Sequence, residues 1–88
     1  MSMPTISEFF GILIFMYYND HAPPHFHARY GDYEALIQIA PLGLLKGNLP
    51  PRALSLVFEW AQIHQKALLA DWSHAENNKK LHKIPPLQ

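Results

Sequence analysis

The stretch His25-Phe26-His27-Ala28-Arg29-Tyr30-Gly31-Asp32-Tyr33-Glu34-Ala35-Leu36-Ile37-Gln38-Ile39 decides the fold. Its residues alternate in character on both sides of Gly31-Asp32, which is the signature of two strands that each bury one face. A Gly-Asp pair between alternating runs is also a hairpin-turn signal. A two-residue turn at that point sets the register: Tyr30 faces Tyr33, Arg29 faces Glu34, Ala28 faces Ala35, His27 faces Leu36, Phe26 faces Ile37 and His25 faces Gln38. One face of the hairpin is then aromatic and aliphatic. The other carries His25, His27, Arg29, Glu34 and Gln38, with Arg29 and Glu34 as a cross-strand ion pair.

Toward the N-terminus, Thr5–Phe10 and Ile12–Tyr18 are rich in β-branched and aromatic residues and flank Gly11, which reads as a hairpin or a sharply bulged strand. Asn19-Asp20 stops that strand, and Ala22-Pro23-Pro24 forms an elbow whose prolines cannot donate ladder hydrogen bonds. Toward the C-terminus, Leu44-Leu45-Lys46 suits a short fifth strand. A long helix over about residues 50–75 follows, capped by Asn48 or a neighbour, with Pro50-Pro51 where a first turn tolerates missing donors. At helical spacing, Ala53, Leu56, Val57, Trp60, Ala61, Ile63, Ala67, Leu68 and Trp72 form an apolar stripe, interrupted by His64 and Asp71. Asn77-Asn78 ends the helix, and a tail over residues 79–88 docks through Ile84 and Leu87. The expected architecture is a single α+β domain over residues 3–88. It has an antiparallel sheet of four to five strands, within residues 5–46, packed against one long C-terminal helix. The folded region is read from Met3, because Met1-Ser2 precedes a second methionine.

A chain of 88 residues supports one core, and 49% hydrophobic against 16% charged residues is enough to build it. The absence of cysteine excludes a disulfide scaffold, a thiolate metal site and a cysteine nucleophile. A net charge of zero argues against a dedicated nucleic-acid binder. The charge is uneven, however, at −3 over residues 1–44 and +3 over residues 45–88, so the chain is dipolar. The apolar run Phe9–Tyr18 is far shorter than the ~20 residues of a membrane-spanning helix and follows no basic region, which implies a cytoplasmic protein without a membrane role.

Histidine is the unusual component, with six in the chain. His21, His25 and His27 form His-x-x-x-His-x-His across the proline elbow. An i,i+2 pair projects from one face of a strand, and the turn can bring His21 or the Asp20 carboxylate in as a third ligand for a divalent transition metal. A three-histidine set with an open position is how zinc activates water. The plainer reading ranks first: Asn19-Asp20 makes a turn, Pro23 and Pro24 stiffen the elbow, and the imidazoles hydrogen-bond backbone groups nearby. Acid–base catalysis ranks third. His64 and Asp71 lie two turns apart, too far for contact, and read as a core histidine near Trp60 and an aspartate where the helix bends or emerges. His74 and His82 are expected at the periphery. Lys79, Lys80, His82 and Lys83 read as a solvated basic face, or as weak phosphate contacts.

The sequence also resembles a known family. Met3-Pro4-Thr5-Ile6, Phe9-Phe10-Gly11-Ile12, Asn19-Asp20-His21-x-Pro23-Pro24-His25-Phe26-His27, Tyr30-Gly31 and Tyr33-x-Ala35 resemble the small bacterial proteins grouped as domain of unknown function 4160. So do Gly47-x-Leu49-Pro50, Arg52-Ala53-Leu54, Glu59-Trp60, His64, Leu68-Leu69, Asp71-Trp72 and Lys83-Ile84-x-Pro86-Leu87. Two departures are Asp71, where the pattern carries Asn, and Phe58, where it carries a basic residue. The resemblance implies a single-domain bacterial protein with no established activity, encoded beside another small protein as in toxin–antitoxin pairs. Two functions follow as expectations. The first is a non-enzymatic protein-binding module that engages a small protein partner or itself. The second is a zinc- or nickel-dependent hydrolase or nuclease built on His21, His25, His27 and Asp20.

Overall fold

Phe10 and Gly11 both adopt positive φ, 50° and 79°, which is what a two-residue hairpin turn between right-twisted strands requires. They join β1 (Thr5–Phe9) to β2 (Ile12–Phe15). The second hairpin, β3 (His25–Tyr30) and β4 (Tyr33–Gln38), pairs in the register read from the sequence at all six positions. The Leu44-Leu45-Lys46 segment forms β5 (Gly43–Gly47), so the sheet has five antiparallel strands in the order β1-β2-β3-β4-β5. Gly47 is required there: its φ is +73°, and a Cβ at this position would lie 2.2 Å from the Glu34 carbonyl oxygen. These features come from a computed structural model that describes residues 4–88. Met1-Ser2 and the expected start at Met3 lie outside the described residues. The strand expected over Ile12–Tyr18 is shorter and leaves the sheet after Phe15.

The single long helix is a misreading. The chain forms α1 (Pro51–Ile63) and α2 (Gln65–Glu76), divided at His64, whose φ of −109° and ψ of 24° depart from helical values. Hydrogen bonds continue through the junction, from His64 N to the Trp60 carbonyl (3.1 Å) and from Leu68 N to the His64 carbonyl (2.9 Å). The axis therefore bends without the chain unravelling. The cause is tertiary, since no glycine or proline lies nearby. α1 lays Trp60 on Phe9 (5.3 Å between ring centres) and Phe26 (5.8 Å), while α2 turns Trp72 onto His25 (5.1 Å). The buried stripe is narrower than expected, with Ala53, Val57, Trp60 and Ala61 on α1 and Leu68, Asp71, Trp72 and Ala75 on α2. Ile63 and Ala67 are exposed. Asn48 does not cap α1: the cap position is Pro50, and Asn48 Oδ1 accepts from the backbone N–H of Leu49.

The apolar face of the sheet, through Ile6, Phe9, Ile12, Ile14, Phe26, Ala28, Ala35 and Ile37, meets both helices in one core. The tail closes it. Leu81 and Ile84 are buried, Ile84 N–H donates to the Ile6 carbonyl (2.8 Å), and Trp60 Nε1–H donates to the Pro85 carbonyl (2.8 Å). The outer edge of β1 is thereby covered, whereas β5 is largely exposed, including Leu44 and Leu45. No helix among the described residues is long and apolar enough to cross a membrane.

Candidate metal centre

The sheet face opposite the helices is where chemistry-bearing residues gather, and the strand register explains how. Phe15 faces His27 across the β2–β3 pair, so the two rings stack at 5.1 Å with 16° between their planes. Glu34 sits diagonally from His27 across the β3–β4 pair and directly opposite Arg29, positions close enough for long side chains to meet. Glu34 accordingly accepts from both, from Arg29 Nη2 at 3.1 Å and from His27 Nδ1 at 3.3 Å. The Arg29 guanidinium lies over Phe15, 5.1 Å from the ring centre. Tyr17 abuts the edge of this group, 4.7 Å from the His27 ring. This polar face is covered at its histidines: His25 and His27 are only 5% and 6% exposed.

Asp20 supplies the third member. Asn19, at φ 56°, turns the chain after β2 and is held to the end of α2 by its backbone N–H on the Ala75 carbonyl and its side chain on Asn78. That turn carries the Asp20 carboxylate over the start of β3. Its Oδ2 lies 3.0 Å from His25 Nε2 and 3.2 Å from His27 Nε2, while Oδ1 accepts from the backbone N–H of His21 (2.8 Å). Burial opposes ionisation of Asp20, but the hydrogen bonds from His21 and His27, with the charge and hydrogen bond of His25, outweigh it. The carboxyl is held below its ordinary range.

Each imidazole is spoken for at its outer nitrogen. His25 Nδ1 donates to the Pro23 carbonyl at 2.8 Å, and His27 Nδ1 donates to Glu34. Such outer contacts are the ones that orient metal-bound histidines and direct Nε2 inward. Both Nε2 atoms then point at one carboxylate oxygen, which accepts and cannot donate. The space between them calls for positive charge, either a proton on each ring or one divalent ion. One ligand atom from each of Asp20, His25 and His27 lies within 4.8 Å of the others. The 3.0 and 3.2 Å separations approach the edge of about 3.4 Å in a tetrahedron with bonds of about 2.0–2.1 Å.

The remaining sequence candidates are placed differently. His21 is exposed and reaches the group only through its backbone. Asn19, Pro23 and Pro24 shape the elbow, with the Ala22–Pro23 peptide cis. Phe26 points to the core against Trp60, and His64 packs on that indole at 5.6 Å. His64 and Asp71 are not joined. Asp71 instead accepts the backbone N–H of His82 (2.8 Å) and lies 3.7 Å from His74, so the two histidines expected at the periphery meet a buried carboxylate. Glu34 and Phe15 were not read as site residues. Both follow from the register once β2 is placed beside β3, since one is diagonal to His27 and the other is opposite it.

The fold and this group define a small α+β protein with a two-histidine, one-carboxylate set at the start of β3, on the face of a five-stranded sheet that bears Phe15, with Trp72 of α2 against His25. Residues 11–73 match the family described as Domain of unknown function (DUF4160), and the chain belongs to that family. No curated protein and no solved structure matches the chain.

Proposed function

We propose that the protein is a small binding module that holds one divalent transition ion, zinc or nickel, through Asp20, His25 and His27. The observation that carries this is the convergence of two buried Nε2 atoms on Asp20 Oδ2 while both Nδ1 atoms are already committed to acceptors. Imidazole nitrogen and carboxylate oxygen suit these metals, and no thiolate competes. The role is structural: the ion ties the elbow to β3 and, through Asn19 and Trp72, to α2. Three clefts of about 240–380 Å³ are lined from α1, α2, the tail and Phe10, and none is lined by Asp20, His25 or His27. The burial of the His25 and His27 rings, 5% and 6% exposed, leaves little access for a substrate and favours a non-enzymatic module over a hydrolase or nuclease. A protein partner, in the manner of a toxin–antitoxin pair, is supported by the exposed aromatics Phe10, Tyr30 and Tyr33 on two hairpin turns, which Tyr30 brings together by lying against Gly11.

The test is native mass spectrometry of untagged protein, which reads metal and partner in one spectrum. The expected result is one zinc or nickel ion per chain, lost in His27→Ala while the apoprotein stays folded. Metal-free protein that gains no ion on titration would overturn the reading. Phosphodiester or ester hydrolysis that requires the ion and disappears in His27→Ala would replace the module with the enzyme.

A further inference from the structure

A second group of one aspartate and two histidines lies on the helix–tail side and shares no atom with the first. Asp71 is 1% exposed. Its Oδ1 accepts the His82 backbone N–H, while its Oδ2 is buried without a partner. His74, three residues on and therefore on the same helix face, has its Nδ1 buried and equally unpartnered, 3.7 Å from Asp71 Oδ1. The His82 ring stacks on that of His74, 5.0 Å away and 24° from parallel. Asp71, His74 and His82 line a cleft of about 250 Å³ between α2 and the tail, whose α2 wall is completed by the small side chains of Ala67 and Ala70.

Buried polar atoms almost always find partners, and leaving a carboxylate oxygen without one is costly. Here the unpartnered atoms are a carboxylate oxygen and an imidazole nitrogen, both metal-ligand types, on neighbouring residues of one helix. The 3.7 Å from His74 Nδ1 to Oδ1 of the same carboxylate is too long for a hydrogen bond and near the about 3.4 Å edge of a tetrahedral ligand set. Acid and histidine at i,i+3 is a spacing by which one helix directs two ligands at one ion. The third ligand, His82, comes from the tail, whose backbone is already anchored on the same aspartate.

We propose that Asp71, His74 and His82 form a second site for a divalent transition ion, closed by the tail. It binds more weakly than the sheet site. The exposed His82 ring must turn out of its near-parallel stack on His74 to aim a nitrogen at the ion, and neither histidine of this group has a fixed acceptor on its outer nitrogen like those of His25 and His27.

The test titrates EDTA-stripped, untagged full-length protein with zinc, read by native mass spectrometry and calorimetry, beside His27→Ala, His74→Ala and His82→Ala. Wild type is expected to bind two ions of different affinity. His74→Ala and His82→Ala lose the weaker ion and keep the tighter one; His27→Ala does the reverse. His82→Ala keeps the backbone N–H that Asp71 accepts, so its unfolding midpoint should stay near wild type. In His27→Ala, zinc should shift the imidazole ¹⁵N resonances of His74. A wild type that binds one ion, lost in His27→Ala and kept in His74→Ala and His82→Ala, overturns this site and leaves the sheet site standing. One ion lost in His82→Ala but kept in His27→Ala does the opposite. A second ion that persists undiminished in His74→Ala and His82→Ala also overturns the proposal.

Discussion

Asp20, His25 and His27 on the sheet, and Asp71, His74 and His82 at the helix–tail junction, are the same set of one aspartate and two histidines on different supports. On the sheet, two histidines stand at i,i+2 on one strand, and neighbouring strands supply what surrounds them: Phe15 as a stacking floor and Glu34 as an acceptor. At the junction, one histidine stands a helical turn from its aspartate and the other arrives on a tail with no regular structure. Every ring nitrogen of the sheet pair has a partner, whereas the junction retains unpartnered atoms. A ladder of backbone hydrogen bonds places side chains by register. A docked tail places them only as well as its own few contacts hold.

Four substitutions or conditions separate the two regions, from the largest effect to the smallest. Phe15→Ala removes a wholly buried ring beneath His27 and should lower unfolding free energy by about 3–5 kcal/mol. It should also abolish tight metal binding while leaving the weaker ion bound, as read by denaturant titration and calorimetry. Ile84→Ala removes a buried tail anchor and should cost toward the lower end of about 2–5 kcal/mol. Its selective mark is faster amide exchange at Ile84, whose N–H bonds to Ile6, with exchange in β3 and β4 slowed as in wild type. Glu34→Gln keeps the shape and removes the charge that orients His27, so the tight ion should bind about 10–100-fold more weakly at unchanged stoichiometry. If that affinity does not move, Glu34 has no part in orienting the ligand.

The smallest effect is on acid stability. Because the Asp20 carboxyl sits below its ordinary range when folded, its contribution is fully present above about pH 3.9, the unfolded value. It is lost as pH falls through the lower folded value. Metal-free Asp20→Asn should therefore unfold with a shallower dependence on pH in that window than wild type, by circular dichroism.

Much of the sheet was legible because strand pairing is local. Gly31-Asp32 and Phe10-Gly11 each join strands adjacent in sequence, so alternation and turn chemistry determine which residues face each other. The helical half was less legible. The stripe from Ala53 to Trp72 is periodic through His64, and only the need to place Trp60 over Phe9 and Phe26 and Trp72 against His25 bends it. The sheet site was half legible. His25 and His27 share a face by strand geometry, but whether Asp20 or His21 joins them depends on the turn at Asn19, which is held by α2. The junction group was not legible, since His82 lies in a tail without periodicity, and its approach to Asp71 is a contact between segments eleven residues apart.

The sequence by itself determined that the chain builds an antiparallel α+β fold, the register of its central hairpin, the shared face of His25 and His27, and an exclusively nitrogen and oxygen ligand chemistry. These follow from local spacing and from the absence of cysteine, and they need no knowledge of distant contacts. The tertiary structure alone decided that the helix bends at His64, that Asp20 and not His21 meets the imidazoles, and that Asp71 is buried between His74 and the tail. Each of these depends on how separate elements share one core, and packing of that kind leaves no trace in the spacing of any single segment.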